Sequence, residues 1–167
     1  LAPVFNQNPR RGEALRRAFR QSFDLPAAAL EAKLWITCDN AYELFVNGQR
    51  VGAGDEWQSP TVYDLKPFVK PGRNVLAVAG TNAGPGAAGV LAEGNVLCAD
   101  GANVPLQTDA KWLTSDTPAT GWQQPDFAAT GWVPATSSGR HPQAPWAGQT
   151  DWVLPYLGPL VLGEAQG

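Results

Sequence analysis

The sequence predicts an all-β chain folded as an antiparallel β-sandwich, and three observations carry that expectation. Gly (18) and Pro (15) are abundant while charged residues make up only 16% of the 167 residues, a composition that leaves little room for long helices. Short stretches rich in β-branched and aromatic residues recur at regular spacing, separated by turn residues. Asn47-Gly48 lies between two such stretches, and a two-residue type I′ turn needs positive φ at both of its central positions.

Taken in order, "RGEALRRAFRQSF" (11–23) is ambiguous. Leu15, Phe19 and Phe23 are spaced by four, as on one face of a helix, yet Phe19 and Phe23 also share a face by period two. A short helix or extended lead-in that becomes a strand near Arg20 is expected. "AKLWITC" (32–38) follows as a strand, and "YELFVNGQRVG" as a hairpin in which Val46 faces Gln49 and Leu44 faces Val51. That register puts Leu44, Val46 and Val51 on an apolar face, with Glu43, Phe45 and Arg50 on the other. "TVYDL" (61–65) and "RNVLAVAGTN" (73–82) are further strands, the second introduced by the turn Lys70-Pro71-Gly72. "GVLAEGNVLCADG" and "NVPLQTDAKWLTS" read as another pair, and "DWVLPYLGPLVLG" as one or two closing strands whose prolines suit an edge. About eight short strands are expected. Leu34, Ile36, Leu44, Val46, Val75 and either Leu76 or Ala77 are expected to contribute to the interior.

Residues 1–167 fit a single domain, with a Trp-, Pro- and Gly-rich loop at about 115–150. Thr-Gly-Trp occurs twice there, at 120–122 and 130–132, too locally for a repeat architecture. Trp122, Phe127 and Trp132 are expected to pin this connection onto the sandwich rather than to form an exposed platform. Cys38 and Cys98 are too few for a disulfide framework. A bridge between them and two separate buried thiols both remain open, the thiols being favoured.

With 12 basic and 15 acidic residues and a net charge of −3, the chain has no concentrated positive charge to bind a phosphate backbone. No apolar run approaches the ~20 residues that span a bilayer. Neither nucleic acid nor membrane is expected as a partner. Enzymatic signatures are lacking as well. The single histidine, His141, stands in "SSGRHPQAPW" with Ser137 and Ser138 too close in sequence to imply a triad, no Gly-x-Ser-x-Gly elbow occurs, and no catalytic residue is assigned.

The segment "CDNAYELFVNGQRVGAGDEWQSPTVYDLKPFVKPGRNVLAVAGTNAGPGAAGVLAEG" resembles the galactose-binding-like jelly-roll domains that accompany glycoside hydrolases, especially modules beside bacterial α-L-rhamnosidases. The likeness rests on a "DNxYELxVNG" hairpin, a following Trp, a "YDL" segment, a "PGxNVLAV" strand and an Asn-containing loop. "TDAKWLTS" and "GWQQPDFAATGWVPA" extend it more loosely. The resemblance implies a non-catalytic carbohydrate-binding module linked to a catalytic domain in an extracellular or periplasmic parent. A plant or microbial polysaccharide side chain would be its partner, a neutral or deoxy sugar its ligand, and rhamnose the leading candidate.

It also implies a site. In rhamnose-binding members an Asp-Asn pair sits at a calcium ion and the sugar, and Asp39-Asn40 matches that pair as candidate metal and carbohydrate ligands. Calcium takes hard oxygen donors. Adjacent residues of a regular strand point to opposite faces, so both side chains reach one ion only from a turn ahead of a strand beginning near Ala41. The pair can equally form an Asx turn that caps its own backbone. Trp57, in the polar loop "GAGDEWQSP", is the candidate stacking ring, and Asn82 heads the glycine-rich loop "GTNAGPGAAG" as a further candidate sugar ligand. Two other readings stand beside this one: an accessory domain that only packs against a hydrolase, and a small glycan-degrading enzyme.

Overall fold

The computed structural model describes residues 15–84, 89–140, 146 and 160–163. They form two antiparallel sheets. The first contains β1 (Leu15–Leu25), β3 (Ala41–Val46), β4 (Gln49–Gly54), β6 (Gly72–Asn82), β9 (Leu113–Ser115) and β10 (Val133–Pro134), in the order β10-β9-β1-β6-β3-β4. The second contains β2 (Ala29–Asp39), β5 (Thr61–Asp64), β7 (Gly89–Cys98), β11 (Ser137–Arg140) and β12 (Leu160–Gly163), in the order β11-β12-β7-β2-β5, with β8 (Asn103–Gln107) also paired to β7. Phe19, Leu44, Val46, Leu76 and Val78 of the first sheet meet Leu34, Ile36, Val90 and Ala92 of the second in one buried cluster, which makes the pair of sheets a sandwich.

Residues 15–25 are strand throughout, five residues earlier than the expected transition near Arg20. The ladder from Leu15↔Asn82 to Leu25↔Gly72 settles the matter, because a spacing of four satisfies a helix face and, being even, a strand face too. Phe19 and Phe23 both pack on the inter-sheet core. Asn47 (φ 51°) and Gly48 (φ 81°) make the expected hairpin turn, and Val46 pairs with Gln49. Beyond it a bulge shifts the register: Phe45 opposes Arg50, but Leu44 opposes Gly52 rather than Val51. The faces survive this shift. Val51 still packs on the core, and Glu43 and Arg50 form an ion pair at 3.0 Å on the opposite side.

Among the described residues there are twelve strands against about eight expected, because the loop contributes β10 and β11 and "NVPLQTDAKWLTS" divides into β8 and β9, and β1, β2 and β6 reach eleven residues each. β12 lies between β11 and β7 rather than at an edge. The prolines expected there, Pro155 and Pro159, fall outside the described residues. The six positions expected in the interior are all buried, but not in one place. Leu76 and Val78 face the second sheet, whereas Val75 and Ala77 lie on the other face of β6 beneath the Trp-rich connection.

That connection leaves β9, crosses the first sheet and returns as β10 beside β9. Trp122, Phe127 and Trp132 cluster with Ala18, Val75 and Ala77, which fulfils the expectation that they pin it down. The Thr-Gly-Trp echo is a repeated turn. Trp122 N donates to Ala119 O and Trp132 N to Ala129 O, each across a glycine at positive φ (Gly121, 85°; Gly131, 82°). Beneath the connection, Arg20 is 3% exposed, donates from Nη2 to Gln124 O (2.9 Å) and stacks on Phe127. Cys38 and Cys98 are separate buried thiols.

Candidate functional site

Several connections between the sheets lie at one end of the sandwich, among them β2 to β3, β4 to β5 and β6 to β7. From Asp39, the last residue of β2, a single residue, Asn40, leads to Ala41 and the first sheet; from Asn82, the last residue of β6, the chain returns to the second sheet at Gly89. Two hydrogen bonds stitch these crossovers together: Asn40 N donates to Thr81 O (2.9 Å), and Ala83 N donates to Asn40 Oδ1 (2.8 Å). Gly84 N approaches Asn82 Oδ1 at 3.3 Å. The fold thus brings Asp39, Asn40 and Asn82 to one corner. The new strand starts at Ala41 as expected, but Asp39 is not in a turn, because its pairing with Gly89 carries the β2 ladder through it. The Asp39–Asn40 peptide bond is cis.

Asp39 is the unusual member of the trio. It is 9% exposed, and its Oδ1 is buried without a hydrogen-bond partner among the described residues. Burial raises its carboxyl above the ordinary carboxylate range. The neighbouring Cys38 thiol is pushed up as well, by its own burial and then by the Asp39 charge. The amides of Asn40 and Asn82 are spent differently: each oxygen accepts one backbone N–H and retains a second lone pair. As a donor set this corner offers hard oxygen and a single negative charge, suited to an oxygen-seeking cation or to hydroxyl groups. Among the described residues no three His, Cys, Asp or Glu side chains gather as metal ligands, so other donors to a cation would be backbone carbonyls, water or the ligand itself.

Trp57 lies in the loop between β4 and β5 and is half-buried. Its ring packs with Trp35 against Leu91 and Trp146, on the face of the second sheet turned away from the core. Among the described residues no hydrogen bond or ring contact joins it to Asp39, Asn40 or Asn82. The link runs through the backbone: Trp57 O accepts from Thr37 Oγ1 (2.7 Å) and from Trp146 Nε1 (2.8 Å). Thr37 stands two residues before Asp39 on β2. Because Leu34, Ile36 and Cys38 point into the core, Thr37 and Asp39 share the outer face. Sequence reasoning overlooked Thr37 and Trp146. The outward phase of Thr37 is readable from the strand's alternation, whereas nothing in "HPQAPW" ties Trp146 to Trp57. His141 lies outside the described residues.

No protein-family model matches the chain. It is 36% identical over 140 residues to an α-L-rhamnosidase of Streptomyces avermitilis, a match covering 80% of this chain and 14% of the relative. The crystal structure of the S. avermitilis α-L-rhamnosidase complexed with L-rhamnose superposes with a TM-score of 0.67 at 36% identity, over 72% of this chain and 12% of that one. A GH78 family rhamnosidase of Bacillus sp. GL1 gives 0.67 at 31% identity, over 79% and 17%. The lectin of Pleurotus ostreatus in complex with GalNAc gives 0.69 at 31% identity, over 86% and 43%. The chain therefore spans about a seventh of the curated relative it matches. The likeness first read from the hairpin extends over most of the chain, which is similar in sequence and in fold to the galactose-binding-like β-sandwich segments that accompany α-L-rhamnosidases.

Proposed function

We propose that the chain is a non-catalytic carbohydrate-binding module that holds a neutral or deoxy sugar, L-rhamnose being the leading candidate, at the corner formed by Asp39, Asn40 and Asn82. The observation that carries this reading is the buried, unpartnered Oδ1 of Asp39 beside two amide oxygens with spare lone pairs. A buried carboxylate lacking a hydrogen bond is costly, and a scaffold tolerates that cost where a ligand supplies the missing partner. Calcium would fill that role with Asp39 and Asn40 as side-chain ligands, the cation supplying charge to orient sugar hydroxyls. Trp57 would contribute the face of its half-buried ring. Similarity to segments of rhamnosidases and to a lectin supports a sugar-directed role.

Titration calorimetry with L-rhamnose, in calcium and again in chelator, tests this reading. One ring contact and a few solvent-offset hydrogen bonds correspond to a dissociation constant on the order of micromolar to millimolar. Trp57→Ala and Asp39→Ala are each expected to remove the heat of binding. The reading fails if the parent binds no sugar or if Asp39→Ala binds as tightly as the parent. A chelator without effect removes calcium but leaves the sugar site standing. A second reading, in which the chain only packs against a catalytic domain, is favoured by Val62. It is 61% exposed on edge strand β5 and pairs with the half-buried Trp35. That reading predicts no sugar binding.

A further inference from the structure

The β4–β5 loop has little structure of its own. Its internal bonds are Ser59 N to Glu56 O (3.2 Å) and Gln58 N to Glu56 Oε1 (3.4 Å), both long. Against this, Trp57 O receives two short bonds from outside the loop, 2.7 Å from Thr37 and 2.8 Å from Trp146, which engage both of its lone pairs. Both donors are buried. Thr37 is 1% exposed within the β2 ladder opposite Leu91, and Trp146 is fully buried against Leu91. One carbonyl fixed from two directions can neither slide along β2 nor rotate about the bond to either donor alone. Thr37 and Asp39 lie on the same face of β2, two residues or about 7 Å apart along the strand.

We infer that Thr37 and Trp146 are positioning residues for the sugar site, sharing the Trp57 carbonyl so that the Trp57 ring is held at a set height over β2 and a set distance from Asp39. This rests on the reading of Trp57 as a sugar-contacting ring. Neither residue touches the sugar. Thr37 acts through its hydroxyl and Trp146 through its indole N–H, so Thr37→Val and Trp146→Phe preserve most of the packing while each removes one donor.

Two measurements on the whole chain test the inference: backbone hydrogen exchange of residues 55–59, and calorimetric affinity for L-rhamnose. Thr37→Val and Trp146→Phe are each expected to speed exchange of the loop several-fold and to weaken rhamnose about fivefold, the factor for losing one hydrogen bond. Thr37→Ser, which keeps the hydroxyl, restores both. Unchanged exchange in Thr37→Val and Trp146→Phe overturns the inference whatever the sugar does. Faster exchange with undiminished affinity, in a protein whose Trp57→Ala variant has lost binding, overturns the role in the site alone. A Trp57→Ala variant that binds as tightly as the parent instead sinks the ring's part in the site, and the inference with it.

Discussion

β3 and β6 run side by side, with polar side chains at or just beyond both ends, but the two ends are finished in opposite ways. At the hairpin end, Asn47 and Asn74 form a closed set. Asn74 is fully buried, yet its Oδ1 accepts from Asn47 Nδ2 (2.8 Å) and Lys70 N (2.9 Å) while its Nδ2 donates to Lys70 O (2.7 Å) and Gly72 O (3.0 Å). Asn47 Oδ1 accepts from Val75 N, and its Nδ2 also donates to Phe68 O. At the crossover end Asn40 and Asn82 are partly engaged, and Asp39 keeps a buried oxygen without a partner among the described residues. A satisfied buried cluster rigidifies a scaffold; an unsatisfied one is tolerated where something else is to bind. The sheets therefore have one end whose polar groups are closed among themselves and one whose polar groups are not.

The strongest way to break this comparison is Asn74→Ala. It strands four partners at the hairpin end of the sandwich, and roughly 3 kcal/mol of stability should be lost, lowering the melting temperature by about 6–12 °C. Sugar affinity of the folded fraction should be unchanged. A thermal melt that barely moves would mean that water replaces the cluster readily and that the end is not closed.

Arg20 falls between the two ends and sharpens the contrast. Its Nη2 is well bonded to Gln124 O, but its Nε is buried without a partner among the described residues, and burial, with Arg73 nearby as a second cation, lowers its pKa. Arg20→Met keeps the bulk and frees the carbonyls of the Trp-rich connection. A smaller loss is expected, about 1–2 kcal/mol, because relief of the buried charge offsets part of the missing bonds. Proteolysis within 116–132 should accelerate if the connection hangs on Arg20, and a protease-resistant variant would assign that anchoring to Trp122 and Trp132 alone.

How much of this was legible beforehand depends on the range over which each feature is determined. The Asn47-Gly48 turn and the burial of Leu34 and Ile36 by alternation follow from neighbouring residues, and both appear in the structure; the start of β3 at Ala41 was expected only if Asp39 lay in a turn, and it stands although Asp39 does not. The extension of β1 to Leu15 required β6 as a partner, and the bulge opposite Leu44 required the second strand of the hairpin, so local periodicity misplaced both. In the candidate site, Asp39 and Asn40 were singled out by the resemblance to rhamnose-binding modules and Asn82 by its place at the head of a glycine-rich loop, but only the crossovers place them at one corner. Thr37 was hidden for the same reason. Its partner is a backbone carbonyl twenty residues away, and any residue type supplies one.

The smallest expected effect is the most diagnostic of the crossover end. Asp39→Asn keeps the shape of the side chain and removes its charge. The folded pKa of Asp39 lies above its unfolded value of about 3.9, so the unfolded chain gives up this proton more readily. Stability therefore falls as pH rises through the unfolded value toward the folded one, and remains at the lower level above it. In calcium-free buffer at pH 7, Asp39→Asn should thus melt higher than the parent, and the advantage should vanish below about pH 3.9. At the hairpin end, by contrast, removing a polar group lowers stability. Adding calcium should raise the melting temperature of the parent, since a ligand of the folded state stabilises it, and should leave Asp39→Asn unmoved. If Asp39→Asn melts lower than the parent at neutral pH, the carboxylate already has a stabilising partner within the fold, and the two ends do not differ in kind.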